Sequence, residues 1–517
     1  MDELTLIERI YKLVILWWKR NHIPFISSLV GGLLAYTYAF TNKFVNHDEI
    51  VNLFGKGATY DSGRWGLNII SYIFPNYSLP WLYGIISVIL IAISACIIVK
   101  IFEINSSVLQ IGLATMIMVF PSLTGTFTFM FTSSAYAMSF LLAVLAVYFF
   151  ENGIKSERKQ VVVFSLLFMV LSLSIYQAYL SLVLSLFVIL CMKRVLNDDS
   201  SFMEVLIQGV RYILWVMIAV AIYYGLTQIV LRCLNTGFNG YADAYLHSEE
   251  TLRIKFVNAY FGFFRELFQS AYVLIPNLFS RVLHIVLFVL MGLESTIWLI
   301  KSKGIEKKIL YIFLWIVLPL CINCMFVITD SSAVHTLVLY GFVSIYVLSV
   351  TIHTETEKLI SNRKIRAMGK DTIIMVFILS CCINIFVANK AYLKLNLAYE
   401  NMYSFYTSLV SQIKSTPGFT EESKIAILGN TDNNVYNLDE FSSIDELAGI
   451  AKFNGVNVYN STKQRFIKYY LGFDVEFASE EELEMLSSNP NVVTMEKYPY
   501  YGSVKAIDNY VVINFGD

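Results

Sequence analysis

Long apolar runs separated by short polar connections fill the chain from about residue 25 to about residue 390. A helix needs about 20 mostly apolar residues to cross a bilayer, and about eleven stretches fit that pattern. They centre on residues 25–42, 79–99, 107–122, 133–150, 160–175, 178–193, 210–231, 276–300, 308–328, 333–351 and 371–389. Only "SIYQAY" separates the fifth from the sixth. The segment 250–275 is amphipathic and aromatic, which suits a helix lying on a membrane surface or a re-entrant piece. The first 24 residues carry early acids and no small-residue cleavage site. They read as an amphipathic cytoplasmic helix that leads into the first span, with Trp17, Trp18, Lys19 and Arg20 at the headgroup level.

From about Lys390 the pattern turns polar. "SKIAILGN", "NVVTMEKY" and "NYVVINF" read as strands. "SIDELAGIAKF", "TKQRFIKYYLG" and "SEEELEMLSSN" read as helices with Ser or Thr placed to cap them. Residues 390–517 are thus expected to form a small α/β domain, large enough for its own core. Residues 25–389 form the membrane domain, with long connections at 43–78 and 232–275. The expected fold class is a polytopic α-helical membrane protein with a small C-terminal α/β domain.

Composition agrees. Hydrophobic residues make up 56% of the chain and charged residues only 15%, against about 25% charged in soluble domains. The mean hydropathy is +0.60. The net charge of −1 says nothing about partners, but the chain has no basic stripe of the kind a nucleic-acid binder needs. The seven cysteines lie almost wholly in apolar runs, and Cys321 and Cys324 inside "LPLCINCMFVI" read as helix packing.

Charge also orients the chain. With the N-terminus inside, the cytoplasmic connections hold Lys155, Arg158, Lys159, Lys193, Arg194, Lys301, Lys303, Lys307, Lys308, Lys358, Arg363, Lys364, Arg366 and Lys370. The connections 122–132, 172–178 and 329–334 hold no Lys or Arg. That is the positive-inside pattern. An odd span count puts the C-terminal domain and the loops 43–78 and 232–275 on the extracytoplasmic side of a cell (plasma or inner) membrane.

The densest chemistry lies in "NHDEIVNLFGKGATYDSGRWG", residues 46–66. Asp48 and Glu49 follow the first span closely, and Arg64 comes 16 residues after Asp48, between glycines. A carboxylate there can serve as general base to a sugar hydroxyl. An Arg can hold a phosphate through paired, charge-assisted hydrogen bonds. Asp61 is a second candidate base, although "YDSG" is equally a turn signal. Trp65, Tyr176, Gln177 and His335 are further candidates for binding donor or acceptor. Arg253, Lys255 and Arg265 suit a cationic face against headgroups. No cluster has metal-ligand spacing, so no tightly held metal or cofactor is expected; a loosely bound divalent cation stays open.

The first-loop "HDE", the "GRWG" and the "SIYQAY" after the fifth span, in that order, resemble the GtrII-like glucosyltransferases. These are membrane enzymes of the GT-C class, known from serotype conversion of O-antigen. The resemblance covers about residues 20–390. It implies a GT-C-like bundle, a polyprenyl-phosphate sugar donor (most often undecaprenyl-phosphate glucose), and an extracytoplasmic glycan acceptor in a bacterial cell-surface polysaccharide. It also implies inversion at the anomeric carbon and a need for acids of the first external loop, here Asp48 and Glu49. A flippase and a donor synthase of the same pathway would be partners. His47 stands where another polar or acidic residue is expected, which leaves open which acid is the base. Three other functions compete. A lipid-linked glycan transporter would carry ionisable groups near mid-membrane, where this chain has almost none. A glycan polymerase would use Arg253 and Arg265 but leaves the loop 43–78 unexplained. A scaffold would bind a wall component through the tail.

Overall fold

The computed structural model describes residues 5–516 apart from 45, 56, 58, 76, 198–199, 239–249, 270–273, 275–276, 332–333, 430–438, 445–446 and 451–459. Among the described residues, eight helices are long and apolar enough to cross a membrane: Leu6–Thr41, Pro80–Ile101, Ser107–Thr126, Met130–Lys155, Gln177–Leu196, Phe202–Cys233, Leu278–Lys301 and Arg363–Ser415. The eleven apolar stretches therefore do not give eleven full-length spans. Residues 160–175 form a helix of 17 residues, Lys159–Ile175. Residues 308–328 form Ile305–Ile322, then break at Asn323 before the single turn Met325–Ile328. Residues 333–351 open as 3₁₀ turns, Thr336–Val338 and Tyr340–Val343, before the helix Ser344–Thr356. The tight start has a steric cause. Gly341 packs so closely that a Cβ there would lie 2.7 Å from both the Ile322 carbonyl oxygen and Ser181 Oγ.

The first helix starts at Leu6, behind a capping box between Thr5 and Glu8, and runs through Pro24 without interruption. The predicted cytoplasmic segment and first span are thus one rod. Leu252–Phe268 is helical as expected, but its face differs from the expected cationic one. Lys255 turns inward, 5% exposed and 4.0 Å from Asp330, while Asn323 Nδ2 donates to the Ala259 carbonyl (2.9 Å).

A break between Val119 and Pro121 shapes one end of the bundle. Proline has no N–H, so the carbonyl four residues earlier loses its helical donor. Tyr340 OH donates to that carbonyl, Ile117 O (2.5 Å), and Tyr36 OH donates to Met118 O (2.9 Å). Tyr392 OH donates to Thr124 O (2.9 Å) just beyond the break. In an apolar medium each such carbonyl left bare would cost several kcal/mol. Three buried tyrosines from distant helices therefore hold the connection 120–130 in place.

Charged side chains gather at the other end. Glu103 joins Lys193 (2.8 Å) and Lys155 (3.5 Å), Arg194 pairs with Glu151 (2.7 Å), and His353 Nδ1 lies 2.6 Å from Glu294. The connections rich in Lys and Arg and those without them thus occupy opposite ends.

Arg363–Ser415 is a single helix of 53 residues, about 80 Å long at 1.5 Å per residue. The change in composition near Lys390 falls inside it. Its last turns enter a separate core around a three-stranded sheet of β1 (Lys424–Leu428), β2 (Val504–Ile507) and β3 (Tyr510–Asn514), in the order β1-β3-β2. β1 and β3 are parallel; β2 and β3 are antiparallel. Alternate residues face opposite sides of a strand. Accordingly Ile425, Ile427, Val511 and Ile513 meet Met402, Tyr406, Leu409 and Ile413 of the long helix. Ala426 and Val512 meet Leu486 and Val492 on the other face. The helices Asn460–Leu471 and Glu480–Ser487 form as predicted, the second behind a Ser479 capping box. "NVVTMEKY" does not form a strand. Asn489 caps a turn of helix, Pro490–Val493, with Pro490 at the position that helix starts favour; this local signal prevails over the β-prone valines. "SVKAI", unmarked by the sequence pattern, forms β2. Of "SIDELAGIAKF", residues 445–446 and 451–453 lie outside the described residues, and the 3₁₀ helix Asp439–Ile444 covers its start.

The capping carboxylate of Glu482 accepts from the Ser479 N–H (2.7 Å), Lys424 Nζ (3.0 Å) and Tyr510 OH (2.9 Å). These bonds, the backbone one first, hold it down to about 2 from an ordinary 4.5. A carboxyl depressed by folding stabilises above its unfolded value and loses that effect as pH falls through the folded one. The C-terminal sheet is thus expected to loosen between about pH 4.5 and pH 2, and Glu482→Gln to flatten that dependence. Amide exchange over β1 and β3, corrected for intrinsic rates, checks both.

Candidate active site

The loop 43–78 is built around two neighbouring acids that point different ways. Asn46 caps the short helix His47–Val51: its Oδ1 accepts from the Glu49 N–H (2.9 Å), and its Nδ2 donates to Thr128 O (2.8 Å). The cap therefore ties the loop to the connection that the tyrosines hold. Glu49 is buried, 1% exposed. Its carboxylate accepts from Lys43 Nζ (3.1 Å), from Ser78 Oγ and from the Phe131 N–H (3.4 Å). It thus joins both ends of the loop to the start of helix Met130–Lys155. Asp48, one residue earlier, is half-exposed, 3.4 Å from His47 Nε2, and lines a cavity.

Arg64 reaches the same cavity by a different device. Gly63 has φ +72°, a left-handed conformation that favours glycine. Gly66 lies against Ser174 so closely that a Cβ would meet its Oγ at 2.2 Å and its backbone at 2.9 Å. The two glycines of "SGRWG" turn the chain and seat it on helix Lys159–Ile175. Gln177 Nε2 donates to Ser62 O (3.3 Å) and Tyr223 OH (2.8 Å), while Tyr223 OH donates to Gly63 O (3.0 Å). Trp65 Nε1 donates to Thr227 Oγ1 (3.1 Å). So fixed, Arg64 donates through Nη1 to Tyr136 OH (3.1 Å) and lies 5.5 Å from the ring centre of Tyr176. Tyr136 and Tyr176 stack with centroids 4.1 Å apart.

The cavity is about 510 Å³ in volume, and its walls include Asp48, Asn52, Arg64, Thr132, Tyr136, Tyr176, His335, Ala448 and Gly449. A second cavity of about 360 Å³ shares Arg64 and Tyr176 with it and is otherwise mostly apolar, through Leu173, Leu180, Val220, Met325, Ile328 and Val338. Arg64 thus stands where a polar chamber meets an apolar one. His335 Nδ1 is buried and makes no hydrogen bond among the described residues, which leaves it available to a bound molecule. Among the described residues no three His, Cys, Asp or Glu side chains are grouped to hold a metal ion.

Of the residues singled out from sequence, Asp48, Arg64, Tyr176 and His335 line the polar cavity, and Gln177 lines the apolar one. Glu49 lies behind the cavity wall in its ion pair with Lys43. Trp65 braces the loop, and Asp61 belongs to the turn closed by the Gly63 N–H on Tyr60 O (3.0 Å). Sequence reasoning missed Thr132, Tyr136, Ala448 and Gly449. Tyr136 follows "FTSSA", where a run of small hydroxyl residues at the head of an apolar stretch was the available signal.

A family model for the glucosyl transferase GtrII matches residues 37–348 of the chain. That range includes every lining residue of both cavities except Ala448 and Gly449. No curated protein matches the chain.

Proposed function

The chain belongs to the GtrII glucosyl transferase family, and from that premise we propose that this membrane glycosyltransferase moves a sugar, glucose in the simplest case, from a polyprenyl-phosphate donor to a hydroxyl of an extracytoplasmic glycan. The observation that carries the reading is the placing of Arg64 between a polar cavity that holds Asp48 and an apolar one. A lipid-linked sugar phosphate has the same three parts in the same order. Its isoprenoid suits the apolar cavity, its phosphate suits Arg64, and its sugar suits the chamber beside Asp48.

In the proposed reaction Asp48 takes the proton from the acceptor hydroxyl. The acceptor oxygen attacks the anomeric carbon from the face opposite the phosphate, so the new C–O bond forms as the old one breaks and the configuration inverts. Polyprenyl phosphate leaves with the bonding electrons, and Arg64 stabilises the charge that develops on it. The proton on Asp48 then passes to water. The stacked Tyr136 and Tyr176 rings give the sugar an apolar platform, and His335 offers a hydrogen-bonding group beside it. Glu49 positions Asp48 by closing the loop. The charge-poor end of the bundle, which carries the site, is assigned to the extracytoplasmic face of the cell membrane, because Lys and Arg concentrate at the other end. The overall architecture is taken to be of the GT-C kind.

The test is donor turnover. Membranes holding the protein are given polyprenyl-phosphate radiolabelled glucose and envelope glycan from the source cells. Label is expected on the glycan with equimolar release of polyprenyl phosphate, and membranes without the protein should give neither. Equal labelling in the two sets of membranes would remove the reading.

A further inference from the structure

Among the described residues, the C-terminal region reaches into the cavity at the turn of residues 447–450. Leu447 and Ile450 are buried within the core of the bundle. Between them the backbone is tied down at three points. Thr128 Oγ1 donates to Ala448 O (3.2 Å), the Ala448 N–H donates to Thr336 Oγ1 (3.3 Å), and Lys394 Nζ donates to Ile450 O (3.2 Å). Gly449 has φ +78° and sits so near the connection 120–130 that a Cβ would lie 1.9 Å from Thr128 Oγ1. The turn is therefore seated on the bundle, and Ala448 and Gly449 become a wall of the chamber that holds Asp48 and Arg64. A second tie runs to the helix that carries Asp48: Arg465 Nη1 donates to Val51 O (2.9 Å).

The groups assigned to the donor, Arg64, Tyr176 and the apolar cavity, all fall within residues 37–348, where the family match lies. The wall at 448–449 comes from beyond it. On the glycosyl-transfer reading, the molecule that must enter beside this wall is the other reactant. We infer that the turn 447–450 determines which glycan terminus can bring a hydroxyl to Asp48, so that the C-terminal region sets acceptor choice while the bundle handles the donor. The wall is backbone and one methyl group. It selects by shape, by how much of a sugar ring and its neighbour fits between the turn and the Asp48 helix, and not by charge.

The inference rests on the glycosyl-transfer reading, and one experiment separates the two. The full-length protein in phosphatidylethanolamine–phosphatidylglycerol vesicles is given polyprenyl-phosphate radiolabelled glucose with envelope glycan from the source cells. Two products are counted: label joined to glycan, and free sugar formed when water attacks the donor instead. Gly449→Ala pushes the turn off the bundle and is expected to lower the ratio of glycan to water product by about tenfold to a hundredfold, the size of effect that misplacing a reactant by about 1 Å can have. Thr336→Val removes one tie to the turn without adding bulk, and should lower the ratio less, in the same direction. It also serves if Gly449→Ala fails to fold. A ratio unchanged in every variant that folds, whether or not total turnover falls, overturns the inference. A wild type that yields neither product overturns the glycosyl-transfer reading itself, and this inference with it.

Discussion

Asp48→Asn is expected to lower sugar transfer by about 10²–10⁴-fold, the range that a positioned general base supplies, with the protein folded and inserted as before. The substitution keeps the shape of the side chain but removes its charge and with it the ability to take a proton. Asp48 is half-exposed, and His47 Nε2 lies 3.4 Å from it, so little packing depends on its charge. Glu49→Gln should behave in the opposite way. The buried carboxylate faces Lys43 (3.1 Å), and neutralising it leaves that ammonium short of its partner. A disturbed buried hydrogen bond to a charged group costs about 1–3 kcal/mol, so the melting temperature should drop, and turnover should fall only as far as the slackened loop lets Asp48 wander. Paired measurements of kcat and thermal unfolding on both variants check this. A fully active, stable Asp48→Asn beside an inactive, stable Glu49→Gln would exchange the roles of the two acids.

The second large effect is expected at Arg64. Its Nη1 bond to Tyr136 (3.1 Å) and its place beside Tyr176 hold the guanidinium where the two cavities meet. Loss of one preorganised donor to a developing oxyanion costs about 10²–10³ in kcat, and Arg64→Ala removes a full charge as well. Arg64→Lys should recover only part of the loss, because a point charge cannot make the paired contacts of a planar fork. Initial rates over a range of polyprenyl-phosphate glucose concentrations read this out. A fall in kcat with little change in donor KM is the signature of charge stabilised in the transition state. A rise in KM alone would make Arg64 a binding residue and no more.

Much of this site is legible in the order of residues along the chain. Asp48, Arg64, Tyr176 and His335 sit in connections whose side of the bundle follows from Lys and Arg counting, and side is what decides whether distant residues can meet. The separation of Asp48 from Glu49 is not legible there. Adjacent residues on one helical turn point about 100° apart, but which one turns inward depends on Lys43 and Ser78, at the two ends of the loop. Tyr136 is hidden by its setting, since a Tyr in an apolar helix reads as packing. Gly449 is hidden by distance in the chain: "LAGIA" has the pattern of an amphipathic helix, and only its contact with Thr128 makes it a wall. The short spans have a local cause as well. Asn323 and Gly341 interrupt otherwise apolar stretches, and hydropathy averages over such points.

The unbroken helix from Arg363 to Ser415 has a mechanical consequence. Its lower part is gripped by the bundle from Ile373 through Tyr392 to Leu395, and its upper part by the tail through Met402, Tyr406 and Leu409. The tail's bearing on the bundle is therefore a matter of helical phase. Deleting one residue between those grips would rotate the tail by about 100° and lower it by about 1.5 Å, swinging Arg465 away from Val51 and the 447–450 turn away from Thr128. Deleting four would shorten the shaft by a little over one turn and restore the bearing to within about 40°. Whatever the sequence of the shaft, its length is registered like a gear tooth, and the tail can change its angle over the bundle only by bending or breaking the rod that carries it.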